Sequence, residues 1–154
     1  MHTHAERRVL PYSPTQLYEL VADIEKYPQF LPWCLGARIR ERRDNVVVAE
    51  MIIGYRLFRE KFMSRVTLTP ESADGPRIDV QYSNGPFKYL VNHWRFLPHA
   101  TGCEIDFFVE FEFHSRLLER ALEMLFHEAV RRMVAAFERR ARALFGAAKA
   151  QPPP

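Results

Sequence analysis

Cysteine is scarce in this chain. Cys34 and Cys103 are the two copies, they stand far apart, and neither belongs to a Cys-x-x-Cys pair. A disulfide framework and a cysteine-rich zinc site are therefore excluded. No apolar run approaches the roughly 18 residues that a membrane-crossing helix needs. Met1 to Arg8 lack the apolar stretch of a secretory signal. The chain reads as cytoplasmic, with any membrane contact peripheral to the inner membrane. Also missing are a Gly-x-Ser-x-Gly elbow, a phosphate-cradling glycine loop and a dinucleotide fingerprint. His127-Glu128-Ala129-Val130-Arg131 opens like a zinc-protease helix, but Arg131 stands where the second histidine is required. His2 and His4 fall in a terminus expected to fray. His93 and His114 lie on strand faces, where pairing with acids such as Glu110 or Glu112 is expected. No metal, no catalytic residue and no catalytic cofactor are expected, and the chain reads as a binder, not an enzyme.

Excess charge is also small. The net charge is +3, which permits contact with anionic lipid or RNA without demanding it. Arg38, Arg40, Arg42 and Arg43 fall on one strand and its turn. Arg131, Arg132, Arg139, Arg140 and Arg142 alternate with Glu138 on a helix. Neither group is interleaved with aromatic stacking residues, so both read as solvated faces, and DNA is not an expected partner.

What the chain does have is apolar patterning. Its 154 residues are 47% hydrophobic, enough for one domain with a substantial core, and twelve of them are Phe. From Cys103 to Phe113 every second residue is apolar, and Glu104, Asp106, Glu110 and Glu112 occupy the other face with Phe108 as the exception. That is a strand with one wet side. The period then changes to about 3.6 from roughly Leu117 to Phe145, a helix of about 40 Å at 1.5 Å per residue. Leu118, Leu122, Leu125, Ala129, Val130, Met133, Phe137, Ala141 and Leu144 trace its apolar stripe, widened by Leu117, Met124, Phe126, Val134 and Phe145. Core packing accounts for such a stripe. The alternative is that Phe126, Val130, Met133 and Phe137 line a ligand cavity.

The rest of the chain supplies the sheet. Glu6 to Leu10 is a strand. Ser13-Pro14-Thr15-Gln16 carries an N-cap, a first-turn proline and a capping box, and opens a helix running to about Lys26. Pro28 and Pro32 break the next segment. Further strands are expected over Ala37–Arg43, Val46–Ile53, Leu57–Thr69, Arg77–Tyr82 and Val91–Leu97, with a bulge or bend at Gly54 and a turn at Asn84-Gly85-Pro86. The short connections favour antiparallel pairing. The domain is taken as residues 1–148, followed by a proline-rich, disordered tail over 149–154.

Several segments together resemble the coenzyme Q-binding family of the START-like (polyketide cyclase) superfamily, which also contains ribosome association toxins. They are Tyr12-Ser13-Pro14, then Tyr27-Pro28-Gln29-Phe30-Leu31-Pro32-Trp33-Cys34, then Asn84-Gly85-Pro86-Phe87-Lys88 with Trp94-Arg95-Phe96, although Asn84 replaces the usual Asp. Phe111-Glu112-Phe113 and the run from Met133 to Ala141 resemble the family's end. The resemblance implies an α+β helix-grip fold, a curved antiparallel sheet of about seven strands around the terminal helix, with a lipid-sized cavity. It implies binding of ubiquinone or a related polyprenyl lipid in support of respiratory electron transport, with the membrane or respiratory complexes as further partners. The alternative implied function is inhibition of ribosomal subunit joining, with the ribosome as partner. Expected to face the cavity or its mouth are Trp33, Met51, Phe62, Tyr82, Trp94, Phe107, Phe111, Phe126, Val130, Met133 and Phe137. Trp33 could equally pack the first helix, or form a lid. Tyr55, Tyr82, Tyr89 and Trp94 are the candidate donors for quinone carbonyls.

Overall fold

A computed structural model describes residues 2–55, 58–85 and 87–146, with side chains left aside at 55, 58, 83, 84, 118 and 121–126. The expected tail over 149–154 and the side chain of Phe126 lie outside the described residues. The elements run β1 (His2–Leu10), α1 (Pro14–Ala22), a 3-10 helix (Ile24–Gln29), β2 (Cys34–Arg43), β3 (Val46–Tyr55), β4 (Phe58–Thr69), β5 (Arg77–Asn84), β6 (Phe87–His99), β7 (Gly102–Phe113) and α2 (Arg116–Phe145). The seven strands form one antiparallel sheet in the order β1-β7-β6-β5-β4-β3-β2. From β2 onward each strand pairs with the next in sequence, and β1 closes the other edge against β7. The curved sheet holding the terminal helix is the helix-grip arrangement.

β7 shows why the sequence folds this way. Cys103, Ile105, Phe107, Val109, Phe111 and Phe113 are all buried, and the alternate residues are half-buried. Burying one such side chain contributes about 1.5–3 kcal/mol, so a slip of one residue would forfeit the whole set. The α2 stripe meets this face through Val134, Ala136, Phe137 and Ala141, which are buried. Leu117 and Leu144 do not join it and are exposed. At the C-terminal end the inward row runs Phe137, Ala141 and the half-buried Phe145, with Leu144 beside it facing outward. Polar ties also hold the helix and its end. Arg8 bridges Glu6 and Glu138, and the Tyr12 hydroxyl donates to the Gly146 carbonyl at 2.7 Å.

The helix start at Ser13 is as expected. The Gln16 N–H donates to Ser13 Oγ at 3.1 Å and the Ser13 N–H donates to Gln16 Oε1 at 3.0 Å, a capping box worth about 1 kcal/mol. The helix stops earlier than expected, at Ala22, and continues as the 3-10 helix. Pro28 disfavours α geometry at Tyr27 and removes a backbone donor, so the segment after Asp23 does not resume as an α-helix.

Other boundaries differ for long-range reasons. β1 begins at His2, not Glu6. His2 and His4 do not fray: they pair with Phe111 and Val109 of β7, His2 is buried, and its Nε2 lies 3.0 Å from Glu119. His93 pairs with Asp79 at 2.6 Å rather than with Glu110 or Glu112, because β5 places Asp79 directly opposite it. No bulge occurs at Gly54, which pairs in register with Arg59. Gly102 turns from β6 into β7 at φ +147°, and a Cβ there would stand 2.3 Å from the Leu10 carbonyl oxygen. No described helix is long and apolar enough to cross a membrane.

Candidate functional site

Between the inner face of the sheet and α2 lies a partly open cavity of about 160 Å³. That is close to the roughly 150 Å³ apolar space that admits benzene in an engineered core, and below the roughly 300–1,000 Å³ of drug-sized pockets. It accommodates a ring or the first part of a tail. A whole polyprenyl chain would extend through the opening.

The wall is assembled from alternate residues of successive strands. β3 supplies Ala49, Met51 and Ile53. β4 supplies Phe62, Ser64 and Val66, β5 supplies Ile78 and Val80, β6 supplies Phe87, Leu90, Asn92 and Trp94, and β7 supplies Val109 and Phe111. The spacing of two is the pleat directing one face inward, interrupted once, between Phe87 and Leu90 of β6, where the register against β7 shifts. α2 contributes Ala129, Val130, Met133 and Phe137, at the i, i+3, i+4 spacing of one helix face. Val21, Ile24, Tyr27 and Trp33 close the side near α1.

Of the residues expected to face the cavity, Trp33, Met51, Phe62, Trp94, Phe111, Val130, Met133 and Phe137 line it. Tyr82 and Phe107 are not on the wall. Phe107 is fully buried with its ring 4.8 Å from that of Trp94, so it supports the wall from behind. Tyr82 packs edge-on against Phe87 at 5.4 Å, and its hydroxyl accepts the Phe87 N–H at 3.2 Å. Ala129 was expected on the stripe of α2 but not at the cavity, and Ala49 and the polar Ser64 and Asn92 were not singled out by the sequence. Their strand or helix phase alone would have pointed to the inward face.

Two aromatic clusters frame the space. Phe137 meets Tyr27, Phe30 and Trp94 edge-on at 5.1–5.3 Å between centroids. Phe87 meets Phe62, Tyr82, Phe111 and Phe113 at 5.1–6.0 Å. Such contacts add about 0.5–1.5 kcal/mol each beyond burial and hold the walls apart as rigid plates.

Few polar atoms reach this surface. The Tyr27 hydroxyl donates to the Val21 carbonyl, and burial drives its pKa far up, so it stays neutral. Trp94 Nε1 donates to Asn92 Oδ1 at 2.9 Å, and Asn92 Nδ2 donates to the Phe108 carbonyl at 2.9 Å. Trp94 is thus already committed and is not a free donor for a ligand. Of the other candidate donors, Tyr89 is exposed and off the wall, and the side chain of Tyr55 lies outside the described residues. Trp33 Nε1, by contrast, is buried and has no hydrogen-bond partner among the described residues. Among the described lining residues there is no carboxylate, imidazole, thiol, guanidinium or amine, and no group of three or more His, Cys, Asp or Glu among the described residues could hold a metal ion.

Comparison with known proteins agrees with this geometry. The family described as polyketide cyclase / dehydrase and lipid transport matches residues 10–138. The ribosome association toxin RatA of Rickettsia prowazekii is 42% identical over 135 residues, covering 88% of this chain and 92% of that protein. The mitochondrial coenzyme Q-binding protein COQ10 homolog B of Xenopus laevis is 32% identical over 148 residues, covering 93% of this chain and 59% of that protein. The solution structure of the 18 kDa protein CC1736 from Caulobacter crescentus superposes with a TM-score of 0.74 at 42% identity, covering 96% of this chain and all of that one. The chain belongs to the START-like polyketide cyclase / dehydrase and lipid transport family.

Proposed function

We propose that this protein binds the ring of ubiquinone or a related prenyl quinone in the cavity, without catalysis, as a carrier supporting respiratory electron transport. The observation that carries this reading is an apolar space of about 160 Å³ kept open at the centre of the fold. At about 24 cal/mol per Å³, leaving such a space unfilled forgoes up to about 4 kcal/mol. That is a large share of the 5–15 kcal/mol of a typical domain's stability, so natural sequences tend to fill a space of this size unless it serves a ligand. Among the described lining residues there is no carboxylate, imidazole, thiol or amine, which favours a binder over a cyclase-type enzyme. The volume fits the ring and the start of the tail, and the bilayer already solvates the remainder. Transfer from lipid is then close to neutral for the tail, which allows release as well as uptake. Such a protein would work at the cytoplasmic side, peripheral to the inner membrane. The named coenzyme Q-binding relative supports the ligand class.

Organic extraction and mass spectrometry of protein purified from respiring cells test this reading. A prenyl quinone in stoichiometric or substantial substoichiometric amount is the expected result, and its absence from well-folded protein would overturn it. The 42% identity to a ribosome association toxin favours a second reading, in which the chain blocks ribosomal subunit joining. Loss of joined ribosomes on sedimentation, unchanged whether or not quinone is supplied, would favour that reading over the first.

A further inference from the structure

Trp33 occupies a fixed position at the edge of the cavity. Pro32 precedes it, the Cys34 N–H donates to the Leu31 carbonyl at 3.0 Å, and the Gly54 N–H donates to the Trp33 carbonyl at 2.9 Å. Its backbone is therefore held between the 3-10 helix segment and the end of β3. The residue as a whole is half-buried and lines the cavity, yet its indole N–H is sealed from solvent with no acceptor among the described residues. An indole N–H is a donor only, and leaving one buried and unpaired costs free energy that an incoming acceptor would recover. The second indole on the wall, Trp94, is already bonded to Asn92. The two tryptophans thus differ in the one property that matters for a ligand.

We infer that the Trp33 indole N–H is the hydrogen-bond donor that recognises the ligand, and that the ligand is an apolar molecule presenting a carbonyl or ether oxygen on its ring at the Trp33 side of the cavity. This rests on the proposed binding of such a molecule in the same cavity. Recognition requires the half-buried indole to rotate so that its N–H meets the ligand. Among the described residues the rest of the wall is apolar apart from Ser64, Asn92, Tyr27 and the committed indole of Trp94, so one well-placed donor suffices to orient a ring and to discriminate a quinone from a hydrocarbon of the same shape.

Two-dimensional nitrogen-15 NMR reads the two indole signals separately, since the chain has two tryptophans. Wild-type protein is titrated with a short-tailed ubiquinone analogue and, in parallel, with an alkylbenzene of matching tail length. The Trp33 indole proton moves downfield with the quinone and far less with the alkylbenzene. In Trp33→Phe the ratio of quinone to alkylbenzene affinity falls about fivefold to tenfold, the effect of one neutral hydrogen bond. If the quinone binds while the Trp33 signal stays in place, or if the affinity ratio is unchanged in the variant, the inference is overturned and cavity binding stands. If neither probe binds the wild type, the proposed function falls first and the inference with it. The wild-type titration decides the matter should the variant fold poorly.

Discussion

Replacing Val130 by Phe tests whether the cavity is real space available to a ligand. Val130 is half-buried on the inward face of α2 and lines the cavity. Valine and phenylalanine have similar helix propensities, so the helix itself is little affected. The new side chain adds four carbons, which at about 0.8 kcal/mol each would stabilise the protein by about 3 kcal/mol if fully buried. The position is half-buried, so about 1–1.5 kcal/mol is the expected gain. In a solidly packed interior the same substitution would instead be overpacked and cost about 1–3 kcal/mol. The sign therefore separates the two cases. Urea denaturation of ligand-stripped protein measures it, and a titration with a short-tailed quinone measures the consequence. The variant should be more stable and should bind the quinone at least about tenfold more weakly, a loss of 1.4 kcal/mol or more. A destabilised variant with unchanged affinity would refute the reasoning, because it would mean that the space is filled and the ligand sits elsewhere.

Two further outcomes follow from charge and burial. Burial pushes the Asp79 carboxyl up, but hydrogen bonds from Arg77 and His93 outweigh it and hold the group below its ordinary value. A carboxylate depressed in the folded state stabilises above its unfolded pKa of about 3.9 and loses that stabilisation as pH falls toward the folded value. Asp79→Asn should therefore flatten the decline of stability below about pH 4–5, and an unaltered acid limb in urea titrations would contradict the assignment. Burial also pushes the thiols of Cys34 and Cys103 up to about 11 and about 12. Both should resist a disulfide reagent at pH 8 in the native protein and react together on unfolding. Fast native reaction of Cys34 would show that its side of the cavity opens far more than the structure indicates.

Most of the fold could be read from patterning because the inward face is apolar at nearly every position, Ser64 and Asn92 being exceptions. The alternation of β7 and the stripe of α2 each survive as single-element signals, and Ser13 with Gln16 marks the helix start. What could not be read depends on register. His2 looks like a fraying terminal residue until β7 is seen to extend beneath it and Glu119 to reach it. His93 finds its acid on β5, a partner that neither strand names alone. The cavity is harder still. Periodicity says which side chains face inward but not whether they meet, and it was the small residues Ala49 and Ala129 that left the gap. The candidate donors could not be sorted for the same reason. Trp94 and Trp33 are alike as sequence, and only the Asn92 contact two residues from Trp94 shows which indole is committed.

The most direct test of the central claim is a methyl NMR titration with a short-tailed ubiquinone analogue. The account predicts shifts at wall methyls such as those of Val66, Ile78, Val109, Val130 and Met133, with the exposed Val9, Leu35 and Leu144 unchanged. Shifts confined to those exposed methyls, with the wall methyls still, would contradict it.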